Sequence, residues 1–547
     1  MKGDFARVTF DPTRHFSQVF QQQGRVLLEA DWNEQGRIQL QLLRTLVKDL
    51  IGPCWAAGDG FALITSDTNA NGEVKPRPLG EWQLAAGHFY VDGILCENDV
   101  TCALPEQPNR PTPDYEVSGV KTGFEHRPDG FALWLDVWER HLSWIEAPAI
   151  ADMALDGIDT GSRAQVVWQV RVLDQVGAGL QLDDIEAALK VRMNAAGVGS
   201  ADADRSKLEN AELTRLRDNL GGQNGADDDP CALVRQVLAA RATWARPHLS
   251  AQLDAAKADE DPCVIAADAR YRGCENQLYR VEIHDPGSAD RASFKWSREN
   301  GSVIFKVLAS VAGAAADDDS TRWVVTLARL GRDARLGLAV NDWVELVDDD
   351  YTLAQRALPL LQVVAVDVAE CRVSLAVPPH GMPYPLSSSP NKHPLLRRWD
   401  QRESVGAQGL LAVTEGAAIA LEDGVQVTFQ PGGVYATGDY WLIPARVAGS
   451  GQLDWPSSGT APVALPARGG HHYAVLGVAR GDDAYDECCC RFGSLCERLA
   501  AERKPSSGAT KGLDIAQPAA PAKAKVAVVT PKKKAVRAKP ARPAKPT

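Results

Sequence analysis

A chain of 547 residues, 45% hydrophobic and 24% charged, has an ordinary soluble composition and a length suited to roughly three or four domains. Its 59 Lys+Arg and 71 Asp+Glu give a net charge of −12, but residues 504–547 hold 11 basic residues and one acid, Asp514, leaving a body with 48 basic and 70 acidic residues, net −22, joined to a +10 tail. Such a body repels DNA and anionic membranes; no run reaches the ~18 apolar residues of a membrane span, and Met1-Lys2-Gly3-Asp4-Phe5 opens no signal-peptide core.

Within an N-terminal segment, residues 1–79, apolar Ile38, Leu42, Leu46 and Leu50, flanked by Leu43 and Val47, predict a helix from Leu27 to Ile51 that ends at Gly52-Pro53, with a possible break at Gly36. The period then changes to two. Around Asp92-Gly93, residues 88–91 and 94–97 read as a hairpin. Phe131 to Arg140 places Phe131, Leu133, Leu135 and Val137 on one face and Trp134, Asp136, Trp138 and Arg140 on the other; with a strand from Gln165 to Leu173 this makes a β domain at 80–175. Residues 176–262 read as a helical insertion packed on the β parts, with Leu233, Val237, Ala240 and Trp244 on one face.

A third stretch, 263–377, reads as a β-sandwich or barrel-like domain. Asn300-Gly301 is a strong two-residue hairpin turn; it would set Trp296 opposite Phe305 and Phe294 opposite Val307, with Lys295, Ser297, Glu299, Ser302 and Lys306 on the reverse face. Strands follow at 323–327, 343–347, 361–366 and 372–377. A Pro/Ser-rich linker covers 378–394, and a C-terminal β domain 395–503 carries strands at 410–413, 418–421, 425–429, 439–444 and 472–478. Residues 504–547, rich in Lys, Ala and Pro, are expected to be disordered. The predicted class is mainly β with helical additions (α+β).

The sequence spells no phosphate loop, HExxH, GxSxG or GxGxxG motif, so no catalytic, cofactor or metal residue is assigned and no enzymatic role is expected; a glycan hydrolase stays open because triads are set by geometry. Asp67-Thr68-Asn69-Ala70-Asn71-Gly72 spells half a calcium loop, but Pro78 stands where the bidentate carboxylate belongs, so a polar hairpin tip is expected. Eleven scattered cysteines suit reduced thiols better than a disulfide framework. Cys488-Cys489-Cys490 and Cys496, near His471 and His472, lack the pairing of a closed zinc site and read as packed thiols near a C-terminal helix. Asp317-Asp318-Asp319 and Asp348-Asp349-Asp350 read as solvated turns. Fourteen tryptophans argue for large cores or interfaces. Trp134, Trp138 and Trp144 suit a sugar-stacking face or, the favoured reading, core or interface burial. Lys532, Lys533 and Lys534 suit contact with an acidic protein surface, anionic lipid or DNA, or a solubilising linker, with DNA ranked low.

Several segments together resemble an uncharacterised family, a domain of unknown function encoded with phage-tail-like contractile injection systems. They are residues 1–5 with 9–12, 22–26 with 29–35, 90–97, 135–141, 163–170, 275–284, 295–305, 437–446 and 471–473. The resemblance implies a structural component of a contractile particle, in or near the baseplate or an outer fitting, contacting other particle proteins and forming homo-oligomers. It would be made in the bacterial cytoplasm and assembled into a particle that can be released. A tail-spike-like protein that binds or degrades a cell-surface glycan is the alternative.

Overall fold

The predicted N-terminal helix is α1, Glu29–Ile51, which runs unbroken through Gly36. Glu29 and Asp31 in its first turn complement the positive end of the helix dipole. Gly52 ends it, with φ at +127°, a value that favours glycine, and its N–H donates to the Lys48 carbonyl at 2.9 Å. The computed structural model describes residues 1–69, 71–111, 131–155, 158–173, 231–232, 234–235, 238, 246–254, 271–315, 321–333, 335–355, 357–376, 389–402, 405–406, 408–448, 451–459, 461–479 and 485–494. Most of the expected insertion, the greater part of the linker, Asp317-Asp318-Asp319 and the whole tail with Lys532, Lys533 and Lys534 lie outside them.

Among the described residues of the unit Met1–Ser494, the larger sheets form two packed pairs and a closed barrel. In the first, the sheet ordered 490–492, 54–57, 87–91, 94–98 shares one core with the sheet ordered 163–173, 131–142, 472–479, 485–487. Phe89, Val91, Leu133, Leu135, Trp168 and Leu476 fill that core. A second pair joins a five-stranded sheet (411–412, 293–297, 277–283, 440–446, 452–453) to a four-stranded one (418–420, 425–429, 248–253, 465–466) around Tyr279, Phe294, Phe429 and Trp441. Third comes a closed barrel, in the order 304–315, 321–327, 372–376, 361–367, 343–347, 395–399, filled by Phe305, Val325, Val363, Leu375 and Leu396. The expected mainly β, antiparallel architecture is therefore present; the pairing of 54–57 with 490–492 is parallel.

Assembly of these strands departs from the sequence reading in four places. The sheets cross the expected domain boundaries: 131–142 pairs with 472–479, 277–283 with 440–446, and 395–399 closes the barrel instead of opening a separate C-terminal unit. His248–Leu253, expected to be helical, is a strand between 425–429 and 465–466, because pairing on both edges overrides the helix preference of Ala and Leu.

The Asn300-Gly301 turn forms, with φ of +51° and +66°, but it makes no hairpin. Ser293–Ser297 pairs with 277–283 and 411–412, whereas Ile304–Ala315 pairs with 321–327 and 395–399. The turn hands the chain from the five-stranded sheet to the barrel. The reason is that the presumed reverse face is buried too: Lys295 is 3% and Ser297 0% exposed.

Finally, Cys231 and Cys488 form a disulfide, where reduced thiols near a helix were expected. Cys488 lies between short strands, and its side chain joins Trp134 and Val234 in a small core while Cys489 packs against the first sandwich and Cys490 is exposed. Successive residues thus point in different directions, and only Cys488 meets a partner.

Candidate interaction surface

Helix α1 buries only Ala30 and Ile38. Trp32 is 80% exposed, Leu43 57%, Leu46 55% and Leu50 74%. Leu43, Leu46 and Leu50 keep steps of three and four, the spacing of a coiled-coil seam; exposed Leu40 and Leu42 widen the stripe on its two flanks, and Gly36 and Gln39 separate it from Trp32. The arm leading into α1 adds exposed Phe16, Phe20, Val26, Leu27 and Leu28. Leu27 and Leu28, expected inside the helix, precede its first turn, and Phe16, Phe20 and Val26 carry no helical or strand period that would assign them to an element.

Polar contacts on the opposite side hold α1 to the body. Arg44 grips Glu139 through both terminal nitrogens, at 2.8 and 3.3 Å, and Lys48 meets Asp92 at 3.0 Å. The N-terminal arm is tied to α1 separately: the Glu29 carboxylate accepts from the Ala6 N–H and the Gln35 side-chain oxygen from the Val19 N–H, at 2.8 and 2.7 Å. The Asp92-Gly93 turn abuts the helix backbone so closely that a Cβ on Gly93 would lie 2.2 Å from the Arg44 carbonyl oxygen. A side of α1 that is tied down by ion pairs leaves its leucine side outward.

Beneath the N-terminus lies a buried charge network that the β-alternation disguised as surface. The Glu345 carboxylate accepts from Lys295 Nζ at 2.6 Å, the Tyr351 hydroxyl at 2.5 Å and Trp399 Nε1 at 3.1 Å. Glu282 accepts from Arg280 at 2.5 Å and pairs with Lys2 at 2.8 Å. Asn300 donates to the carbonyls of Met1 and Gly3 at 3.2 and 2.8 Å, and the Met1 amine donates to the Tyr440 hydroxyl at 2.8 Å. Burial alone would raise both carboxyls, yet the neighbouring cations hold each below the usual carboxylate range. Burial pushes the Lys2 ammonium down to about 8 against the pull of Glu282. The network locks the first residues onto the seam between the five-stranded sheet and the barrel.

Trp134 and Trp138 are 2% and 7% exposed and Trp144 is half-buried, so the first two present no free ring for a sugar. Trp134 packs with Cys231, Val234 and Leu238, and Trp138 stacks on His471 with ring centroids 5.2 Å apart. His471 Nδ1 lies 2.5 Å from Asp136, which also meets Arg171 at 3.0 Å, and His472 Nδ1 lies 2.8 Å from Asp92. Both histidines therefore fasten chain segments together. Asp348-Asp349-Asp350 is no solvated turn: Asp348 caps the helix 349–354 by accepting from the Tyr351 N–H at 2.8 Å, Asp349 pairs with Arg140 at 2.8 Å, and Asp350 with Lys392 at 2.9 Å. Ser66–Thr68 pairs with Val74–Pro76, and at the tip between them Asn69 accepts from the N–H groups of Asn71 and Glu73. Among the described residues, no group of three or more His, Cys, Asp or Glu is arranged to hold a metal, and no helix is long and apolar enough to cross a membrane.

A family model described as "Family of unknown function (DUF6519)" matches residues 1–547. The chain belongs to DUF6519. Membership of an uncharacterised family, expected from the sequence, is established at that level. No curated protein matches this DUF6519 chain. A solved structure titled "Crystal structure of TssK" aligns with it at 10% identity and a TM-score of 0.13, covering 75% of this chain and 98% of that one, a similarity too slight to carry an argument. Segments that carried the sequence resemblance recur in the geometry of this DUF6519 member. Residues 1–5 anchor in the charge network, 90–97 form the hairpin under α1, and 471–473 hold the histidine clasps.

Proposed function

We propose that this protein is a non-enzymatic structural component of a phage-tail-like contractile particle, associated with its baseplate or an outer fitting, and that it joins neighbouring copies of itself through α1. The observation that carries the reading is the apolar face of α1 and its arm, held outward on a rigid β body. A monomer in water has no use for such a surface, whereas a subunit does. The proposed occupant is a second copy: Leu43, Leu46 and Leu50 keep seam spacing over the last two turns of α1, a strip that symmetry-related copies can pair, and the flanking Leu40 and Leu42 suit a bundle of several helices better than a two-stranded coil. The sequence resemblance supplies the kind of assembly.

Particles released by cells that encode the protein, separated by sedimentation and analysed by mass spectrometry, test the proposal. The protein is expected to co-sediment with tube and sheath subunits. Its consistent confinement to the unsedimented fraction overturns the reading.

A further inference from the structure

Beside the charge network, between the first ten residues, the start of α1 and the barrel loops, lies a cleft of about 1320 Å³. That volume exceeds the usual range for small-molecule sites. Its lining departs from the acidic character of the body, holding Lys2 and seven arginines against five carboxylates. Three of those carboxylates are already engaged. Glu29 accepts from the Ala6 N–H, Glu34 from the Thr9 hydroxyl, and Glu299 pairs with Arg335. Burial, with Asp4 and Asp400 nearby, also pushes the Glu299 carboxyl up to about 7.

The cations are less fully matched. Among the described residues Arg37, Arg163, Arg329 and Arg468 form no salt bridge; Arg163 donates to the neighbouring Ser162 carbonyl at 3.0 Å, and Arg329 sits over the Trp144 ring at 5.0 Å. Arg468 is held below the usual guanidinium range by burial and by the charge of Arg37, a pair of like charges facing one opening. Exposed Trp32 reaches the same cleft from α1 and Trp144 from its other wall.

We infer that this cleft binds an extended acidic polypeptide segment of an assembly partner, its carboxylates taken by Arg37, Arg163, Arg329 and Arg468 and its apolar side chains by Trp32 and Trp144. Guanidinium forks match carboxylates bidentately, and unpaired arginines in a concave site gain most from an anion. A sugar polymer is the poorer fit, because its hydroxyls need acceptors and most of the cleft's carboxylates are occupied. The inference is independent of α1 pairing, which uses the leucines beyond Trp32.

The test uses the full-length protein and fluorescence anisotropy with a labelled peptide of repeating Glu-Leu-Glu-Ala. Its Gln-Leu-Gln-Ala counterpart and polygalacturonate serve as alternative probes, and the titration is repeated over a salt series. The Glu peptide is expected to bind in a salt-sensitive manner and at least about tenfold more tightly than the Gln peptide. Arg37→Glu with Arg329→Glu, both at exposed positions, should weaken it by a further factor of about ten or more. Arg163→Gln provides a milder variant if that pair fails to fold, and Leu43→Glu with Leu46→Glu should leave binding unchanged. Equal binding of the two peptides, indifference to the arginine variants in folded protein, loss only in the leucine variant, or binding of polygalacturonate in place of the peptide would each overturn the assignment.

Discussion

Replacing Glu345 by alanine isolates the role of the buried charge network. The carboxylate is 2% exposed and accepts from Lys295, Tyr351 and Trp399. Its removal leaves the Lys295 ammonium with Glu282 at 3.6 Å as its remaining carboxylate, and strips an acceptor from a buried hydroxyl and a buried indole. Breaking a buried pair from one side costs about 3–5 kcal/mol, and the hydroxyl and indole hydrogen bonds lost with the carboxylate place the change at the upper end of that range. Urea unfolding followed by tryptophan fluorescence should show this loss, with Trp399 itself a reporter. Glu345→Met combined with Lys295→Met should cost less than Glu345→Ala alone, because it leaves no unpaired lysine charge. The pH dependence has a fixed sign: the folded carboxyl lies below its unfolded value of about 4.3, so its stabilisation is complete above that value and is lost as pH falls through the lower folded one. The reasoning fails if Glu345→Ala costs under about 1 kcal/mol, or if the double substitution costs as much as the two single ones added.

Leu43→Glu with Leu46→Glu should abolish self-association in light scattering after size exclusion while moving the unfolding midpoint by no more than about 0.5 kcal/mol, since both side chains are more than half exposed; unchanged oligomers would exclude α1 as the contact. Cys231→Ser should cost about 2–5 kcal/mol and red-shift the emission of Trp134, which lies in the core that the disulfide closes; reductant should reproduce the effect in the parent and leave the variant unchanged. Gly93→Ala, at φ +79° and with its new Cβ 2.2 Å from the Arg44 carbonyl, should cost at least about 1–3 kcal/mol and speed proteolysis within α1. Equal protease resistance of this variant and the parent would show that α1 does not depend on that turn.

Strand positions were legible wherever period-two alternation met a turn signal, as in Val425–Phe429, Thr321–Leu327 and the hairpin around Asp92-Gly93. Strand partners were not. The Asn300-Gly301 turn was readable, but its flanking strands enter different layers, because Lys295 is neutralised by carboxylates on other strands and so tolerates burial. Local pattern carries no record of such distant compensation. The same limit hid the closure of the first sheet by 54–57 and 490–492 and the joining of two cysteines 257 residues apart. The stripe in α1 was legible as a helix face, but core-facing and partner-facing leucines share one period, and only the fold distinguishes them. Aspartates at 348–350 looked like a solvated run because the cations that hold two of them lie on other segments.

A cryo-electron microscopy map of the intact particle tests the central claim most directly. The account predicts the protein in the particle, with the Leu40–Leu50 face of α1 buried against the same helix of neighbouring copies. A map of the complete particle in which the protein is absent, or in which that face stands open to solvent, would contradict it.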